Sequence, residues 1–420
     1  MLGLLFNFED QEDAISWGLE QTKPSRDFSR QLNDYAHHLC RLTKEIAENA
    51  DFPIVDVILA GSVSRETYLP WAVDIDLFAR LKVSEKSELA RFSSIVLPKV
   101  SEAENVEIEF RYAENPYGHF STTIKEQEIG VDIVATVHTD KKKLRSALLI
   151  SGMARTPFHN DFLKTHLNGL TDQVRLLKWW LVKKKVYGQF GFTGFLTEFL
   201  VGHYKGFLNV LKATDEISRS RIDSRNRTNS ELENLFPGDR IIIVDPIDEK
   251  RNAGAGIQGI IGTYKLQRLL RESRKSLSDP GSIFMEAHPS KPFYEIQADF
   301  MPTPRNIDEE GSRFARVASL IKGSIKEIRI QITDLYLEKD PACLLIEFDH
   351  QKLPSRTVKG PPEELHSAVA KFRARHKHIF SKEGRLYAQK PPRHESLSDL
   401  ILEILKSQAW IVSPTLKCIA

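Results

Sequence analysis

The chain has 420 residues, 41% of them hydrophobic and 28% charged, enough to bury cores but too many for one core of ordinary size, so two to three domains are expected. A formal net charge of +2 excludes a global basic field for nucleic acid, and any such surface has to be local. Cys40, Cys343 and Cys418 are scattered without a CxxC, which excludes a disulfide frame or zinc ribbon and fits a reducing cytoplasm. The opening MLGLLFNFED has no basic flank and no run reaches the roughly eighteen apolar residues of a span, so neither export nor a membrane segment is expected.

In chain order, Phe28, Leu32, Tyr35, Leu39, Leu42 and Ile46 recur at spacings of three and four and predict an amphipathic helix over 26–48. β-Branched and aromatic runs then predict strands at 55–60, 74–80 and 106–112 and a pair ending at Val137, joined by a hairpin connection over 125–130. These make an α+β domain over 1–140. From 158 to 210 the pattern is helical (FHNDFLKTHLNGL, TDQVRLLKWWLVKKK, TGFLTEFLVGHYKGFLNVLKA), broken by YGQFGF. A basic polar stretch, a short strand in RIIIVDP and a helix near 258–273 complete a mainly helical domain over 141–278. Beyond SDPGS come a helix in GSRFARVASLIKGSI, strands in IRIQITDLYLE and ACLLIEFDH, then a helix and a basic segment at 371–393, a third domain of α+β class over 279–420.

The segment ILAGSVSRETYLPWAVDIDLF (58–78) carries the chemistry. Side chains alternate along a strand, so Asp74 and Asp76 share one face while Ile75 and Leu77 take the other. Two like charges side by side are unfavourable without a positive partner. Asp132, in GVDIVATV, has the same setting on a second strand, and three converging carboxylates suit magnesium, two ions of which can activate a hydroxyl and steady a leaving pyrophosphate. Gly61 lets backbone approach a phosphate, a helix starting at Ser62 aims free N–H groups at it, and Arg65 adds a charge-assisted contact. A nucleoside triphosphate and metal site is therefore expected.

These residues resemble the signature of the DNA polymerase β-like nucleotidyltransferase superfamily. RYAENPYGH (111–119), RTPFHNDFL (155–163), QVRLLKWWLVKKKVYG (173–188), GFTGFLTEFL (191–200) and VDPIDEKRN (244–252) further resemble the archaeal, class I CCA-adding enzymes, which are tRNA nucleotidyltransferases. The resemblance is close over roughly 55–255 and thin beyond 280. It implies a mixed-sheet catalytic domain of polymerase β type, a helical central domain and an α+β RNA-binding C-terminal domain. The activity implied is stepwise addition of C, C and A to the tRNA 3′ end from CTP and ATP without a nucleic-acid template. It makes Asp74, Asp76 and Asp132 metal ligands for two Mg2+ ions, with Asp132 also suited to be the base for the 3′ hydroxyl. Gly61, Ser62, Arg65, Glu114, Asn115, His159, Lys178, Tyr187 and Arg251 become nucleotide contacts, Arg251 falling where the family reads the incoming base. Asn115 stands where the family often has histidine, and an amide can both donate and accept. The family also suggests a homodimer.

Basic clusters at 141–145, 219–227 and 372–393 are candidates for holding the tRNA acceptor end, the last with Arg373, Arg375 and Lys377 among aromatics. Trp179 and Trp180 are expected in the core, and Glu198 as a buried helix carboxylate without an assigned role. Two other readings compete: a poly(A) polymerase or other terminal nucleotidyltransferase, and a non-catalytic RNA-binding relative. The RLLK, VYG and DEKRN segments favour the tRNA enzyme over the first. Clustered acids facing anionic RNA argue against the second.

Overall fold

Short β-branched runs form the sheet that positions the site, and the chain divides into two units, residues 1–287 and 288–420. The computed structural model describes residues 8, 10–112, 116–188, 190–286, 293–304, 307–325, 330–336, 342–348, 352–392, 394 and 396–419. The first unit starts with helices α1 (Gln11–Thr22) and α2 (Arg26–Asn49), the latter capped by the Ser25 hydroxyl, which accepts from the Phe28 N–H. Then follow β1 (Ile54–Ala60), a single turn α3 (Gly61–Ser64), β2 (Asp74–Leu81), α4 (Lys86–Glu104), β3 (Glu109–Tyr112), β4 (Pro116–Ile124) and β5 (Gln127–Val137). The five strands form one mixed sheet in the order β1-β2-β5-β4-β3, with β2 and β5 parallel and the other neighbours antiparallel.

One face of this sheet is core. Ile75, Leu77, Ala79, Val131, Ile133 and Ala135 point to it and pack with Leu32 and Leu39 of α2 and Phe92 and Val96 of α4, all fully buried. Each large apolar side chain taken out of water there contributes about 1.5–3 kcal/mol. The opposite face carries the alternate residues, among them Asp74, Asp76 and Asp132. The expected strand over 106–112 begins only at Glu109. Asn105 ends α4 in the left-handed region (φ 52), and the Val106 N–H is taken by the Ser101 carbonyl. The hairpin is tighter than the expected 125–130. Lys125 and Glu126, at φ 50 and 65, make a two-residue turn between β4 and β5.

The helical part of the first unit contains α5 (Leu144–Ile150), α6 (Thr156–His166), α7 (Thr171–Lys183), α8 (Gly194–Tyr204), α9 (Phe207–Lys212), α10 (Thr214–Ile217) and α11 (Asn229–Leu235). The two-residue strands β6 (Arg221–Ile222) and β7 (Ile242–Ile243) pair in parallel, and α12 (Ile260–Ser278) follows. The run expected as one helix from TGFLTEFL onward is two helices, because Lys205 (φ 63) and Gly206 (φ 138) leave the helical region between α8 and α9. Trp180 is fully buried with its indole N–H donating to the Ser276 hydroxyl, and Trp179 stacks on Phe284 at 4.5 Å.

The second unit has β8 (Phe293–Phe300), α13 (Ile307–Ser324), β9 (Ile330–Tyr336), β10 (Cys343–Phe348), β11 (Arg356–Pro362), α14 (His366–Arg375), β12 (His378–Lys382), β13 (Arg385–Lys390), α15 (Leu397–Lys406) and β14 (Ile411–Ile419). It holds a four-stranded sheet, β14-β8-β10-β9, and a three-stranded one, β11-β13-β12. The central strand β10 is buried along its whole length. Among the described residues no helix is long and apolar enough to cross a membrane.

Candidate active site

Strand register places the acids. β2 and β5 run parallel with Asp76 opposite Asp132 and Asp74 opposite Gly130, so the three carboxylates stand on adjacent rungs of the face away from the core. His119 lies opposite Asp132 on β4, and its Nδ1 is 2.7 Å from Asp132 Oδ1. Burial, then Asp132 and Asp74, push the Asp76 carboxyl up to about 7, against the opposing pull of Arg65 and Lys178. Two glycines make room for these acids. A Cβ on Gly61, itself at φ +64, would fall 1.7 Å from Asp76 Oδ2, and one on Gly130 would fall 2.3 Å from Asp74 Oδ1.

Among the described residues no three acidic, histidine or cysteine side chains are gathered into a ready cation site. The backbone supplies neighbouring carboxylates, and Asp132 is turned to His119. The donor set is nonetheless all oxygen and anionic, the chemistry a hard divalent cation prefers, and the repulsion that raises Asp76 is what such a cation would relieve.

Beside the acids sits a buried cationic group. The helix expected to start at Ser62 is only the single turn α3, because Arg65 (φ −115) and Glu66 (φ 56) leave the helical region at once. Its consequence is to swing Arg65 onto α8: Nε donates to Glu198 Oε2 at 2.6 Å, Nη2 to Oε1 at 3.3 Å, and Nη1 to Asn160 Oδ1 at 2.5 Å. Lys178, on α7, donates to the same Glu198 Oε1 at 3.1 Å and to the Thr67 carbonyl at 2.9 Å, while the Thr67 hydroxyl donates to Glu198 Oε1 at 2.7 Å. Burial alone would raise Glu198; Lys178, Arg65 and Thr67 overcome it and hold the carboxyl down at about 2. For Lys178, burial draws the ammonium's pKa down and Glu198 opposes it. Burial, then the negative charge of Glu198, Asp74 and Asp76, raises the Tyr187 hydroxyl to about 12.

A second group lies on the helical side. His159 of α6 and Arg251 of the loop after β7 both reach the buried Asp245. His159 Nε2 is 2.7 and 2.8 Å from its two oxygens, and Arg251 Nη1 donates to Oδ2 at 2.8 Å. The Phe195 ring of α8 packs 4.4 Å from the His159 ring, and the Arg251 guanidinium lies 5.6 Å over it.

The fold thus brings Asp74, Asp76 and Asp132 into one row and joins Arg65 to Lys178 and His159 to Arg251. Glu114 and Asn115 lie outside the described residues. Arg373, Arg375 and Lys377 are in the second unit, all exposed, and among the described residues none of them takes part in an ion pair. Sequence reasoning left out Asn160, Thr67, His119, Phe195 and Asp245, and gave Glu198 no role. His119 and Asp245 sit inside the quoted runs RYAENPYGH and VDPIDEKRN, but only contacts across 13 and 86 residues of chain single them out.

Residues 172–286 match the family model described as tRNA nucleotidyltransferase, second domain. Across most of its length the chain is similar to curated CCA-adding enzymes. It is 30% identical over 365 residues to that of Methanosarcina acetivorans, covering 85% of this chain and 74% of the relative. It is 26% identical to that of Methanococcus maripaludis over 436 residues, covering 96% and 93%. It is also 26% identical to that of Methanocaldococcus jannaschii over 431 residues, covering 96% and 92%.

Proposed function

The chain belongs to the CCA-adding enzymes, the tRNA nucleotidyltransferases, and from that premise we propose that the row Asp74, Asp76 and Asp132 is its catalytic centre, extending tRNA by C, C and A from CTP and ATP. The observation that carries this reading is the parallel register that sets Asp76 against Asp132, beside two cations tied to one buried carboxylate. Family members use divalent metal ions, and here Asp74, Asp76 and Asp132 would hold them. The chemistry supplied by magnesium, two ions in this reading, would be activation of the attacking hydroxyl and neutralisation of the departing pyrophosphate.

The chain's own residues do the rest. Gly61 and Ser62 let the triphosphate approach the backbone, and Arg65 and Tyr187 meet its oxygens, while Lys178, expected as a further contact, spends its three N–H groups on Glu198 and Thr67 and so holds the carboxylate that positions Arg65. The tRNA 3′ oxygen attacks the α-phosphorus, the bond from that phosphorus to the bridging oxygen breaks, pyrophosphate leaves, and the hydroxyl proton passes to Asp132. The direct test incubates the protein with tRNA lacking its CCA end and with each labelled nucleotide in turn. Incorporation of C twice and then A is expected; long A tails would favour a poly(A) polymerase. Work on tRNA goes with a cytoplasmic location.

Base choice needs hydrogen bonds, because no template supplies them. Cytosine and adenine each present an amino donor beside a ring-nitrogen acceptor, and Arg251, which only donates, serves the ring nitrogen. Arg251→Ala is expected to lose discrimination by a few-fold to about tenfold at all three steps, the worth of one such bond. Asn115→Ala should mainly slow the final A. Single-turnover addition to tRNA ending in CC, compared with tRNA ending before it, measures both. Equal slowing of C and A by Asn115→Ala would remove it as the adenine reader.

The second unit offers the surface for the tRNA body. α14 buries none of its residues, Lys377 follows it exposed, and Phe380, stacked on Tyr387 at 5.6 Å, is an exposed aromatic of the same segment, so Arg373, Arg375 and Lys377 present their charge to solvent. Reversing these three to Glu should weaken tRNA binding and flatten its salt dependence, while a minihelix too short to reach them is less affected. An unchanged salt slope would leave the cluster a solvated face.

A further inference from the structure

His159 and Arg251 come from elements 92 positions apart in the sequence and are held by one carboxylate. The Asp245 side chain is fully buried, and its oxygens are saturated. Oδ1 accepts from the Ile247 and Asp248 N–H groups at 2.9 and 3.1 Å and from His159 Nε2, and Oδ2 accepts from Arg251 Nη1. Burial would raise this carboxyl, but His159 and the two amides outweigh it and keep it ionised, at about 2. The loop that delivers Arg251 is itself closed, the Asp245 N–H donating to the Arg251 carbonyl at 3.0 Å and the Arg251 N–H to the Asp248 carbonyl at 2.9 Å.

An ionised carboxylate only accepts, so the proton on His159 is fixed at Nε2 and Nδ1 is left as the nitrogen that can meet a nucleotide. The same carboxylate fixes one arm of the Arg251 guanidinium, leaving its remaining N–H groups for the substrate. Phe195 lies against both, so neither can rotate without losing contact with the ring. Each group is thus gripped from two sides.

We propose that Asp245, backed by Phe195, is the positioning residue for base selection: it sets the tautomer of His159 and the place of the Arg251 guanidinium before the nucleotide arrives. This rests on the reading of Arg251 as the base reader. Preorganised donors discriminate because a wrong base leaves them unpaired, whereas mobile ones reorient and accept it. In Asp245→Asn one oxygen becomes an NH2 that faces donors, so His159 and Arg251 cannot both keep their bonds.

The test measures KM, kcat and the ratio of U or G to C or A incorporation on tRNA lacking its CCA end, for the wild type, D245N, R251A, the double variant and F195L. D245N is expected to raise KM for CTP and ATP about tenfold with a smaller change in kcat, and to raise misincorporation as R251A does. The double variant should be no less selective than R251A, since the base is read by Arg251 and Asp245 affects selectivity through that side chain, its hold on His159 showing in KM. A slowing by D245N that is equal for all four nucleotides, or losses of selectivity that multiply in the double variant, would show a merely structural role and overturn the proposal. F195L leaves every hydrogen bond of Asp245 in place, so it decides the matter if D245N fails to fold: higher KM and misincorporation support the proposal, and wild-type values overturn it. Normal selectivity in R251A would overturn the reading of Arg251 as well. Lost selectivity in R251A with none lost in D245N would overturn the role of Asp245 alone.

Discussion

Asp76→Ala is expected to abolish addition of both C and A while leaving the protein folded. The carboxylate sits beside Asp74 and Asp132 on the face of the sheet away from the main core, whose fully buried side chains lie on the other face. Loss of a ligand for the activating ion, and with it the alignment of hydroxyl and triphosphate, should lower the rate by at least about a thousandfold, which corresponds to roughly 4 kcal/mol of barrier. Stability should not fall. Burial and two neighbouring acids hold the Asp76 carboxyl at about 7, above its unfolded value, so its ionised form costs the folded state free energy as pH rises through that value. In metal-free buffer at pH 8 the variant should therefore melt no lower than the wild type. Measurable addition by Asp76→Ala in magnesium, free of contaminating enzyme, would sink the mechanism.

Glu198→Gln has the largest expected effect on stability. Glu198 is buried and compensates Arg65 and Lys178, so the amide would leave two cations in a dry site without their counter-charge, at a cost of about 3–5 kcal/mol. For a unit of this size that is a fall in melting temperature on the order of 10 °C. The pH dependence has a definite sign. The folded carboxyl titrates at about 2, below its ordinary value of 4.5, so its stabilisation is fully present above about pH 4.5 and is lost as pH falls toward 2. The gap between wild type and variant, measured by denaturant unfolding, should be wide at pH 7 and narrow as the solution is acidified toward pH 3. Equal stability at pH 7 would mean that Arg65 and Lys178 do not depend on Glu198.

Much of the molecule is legible from local pattern alone, since an element's period depends on side chains only a few residues apart. Alternation around Asp74 and Asp76 puts both on one face, the three-and-four spacing from Phe28 to Ile46 gives the helix that covers the other, and the Gly61-Ser62 pair marks a strand end where backbone lies bare. Local conformational exceptions were less visible: Asn105, the Lys125-Glu126 turn and the Lys205-Gly206 break each turn on a left-handed φ that non-glycine residues rarely adopt. The strands β8 and β11 to β14 of the second unit are not among the predicted ones, although β8 does alternate, Tyr294, Ile296 and Phe300 being buried and Glu295, Gln297 and Asp299 lying between them. What only the tertiary structure decided is pairing at long range. Asp76 meets Asp132 through strand register, Arg65 meets Glu198 across 133 residues, and His159 and Arg251 meet at Asp245. A buried carboxylate is tolerated only where the fold delivers cations and N–H groups to its oxygens. The identity of Glu198 and Asp245 as hubs therefore resides in the packing of distant segments, which a local reading of either residue does not contain.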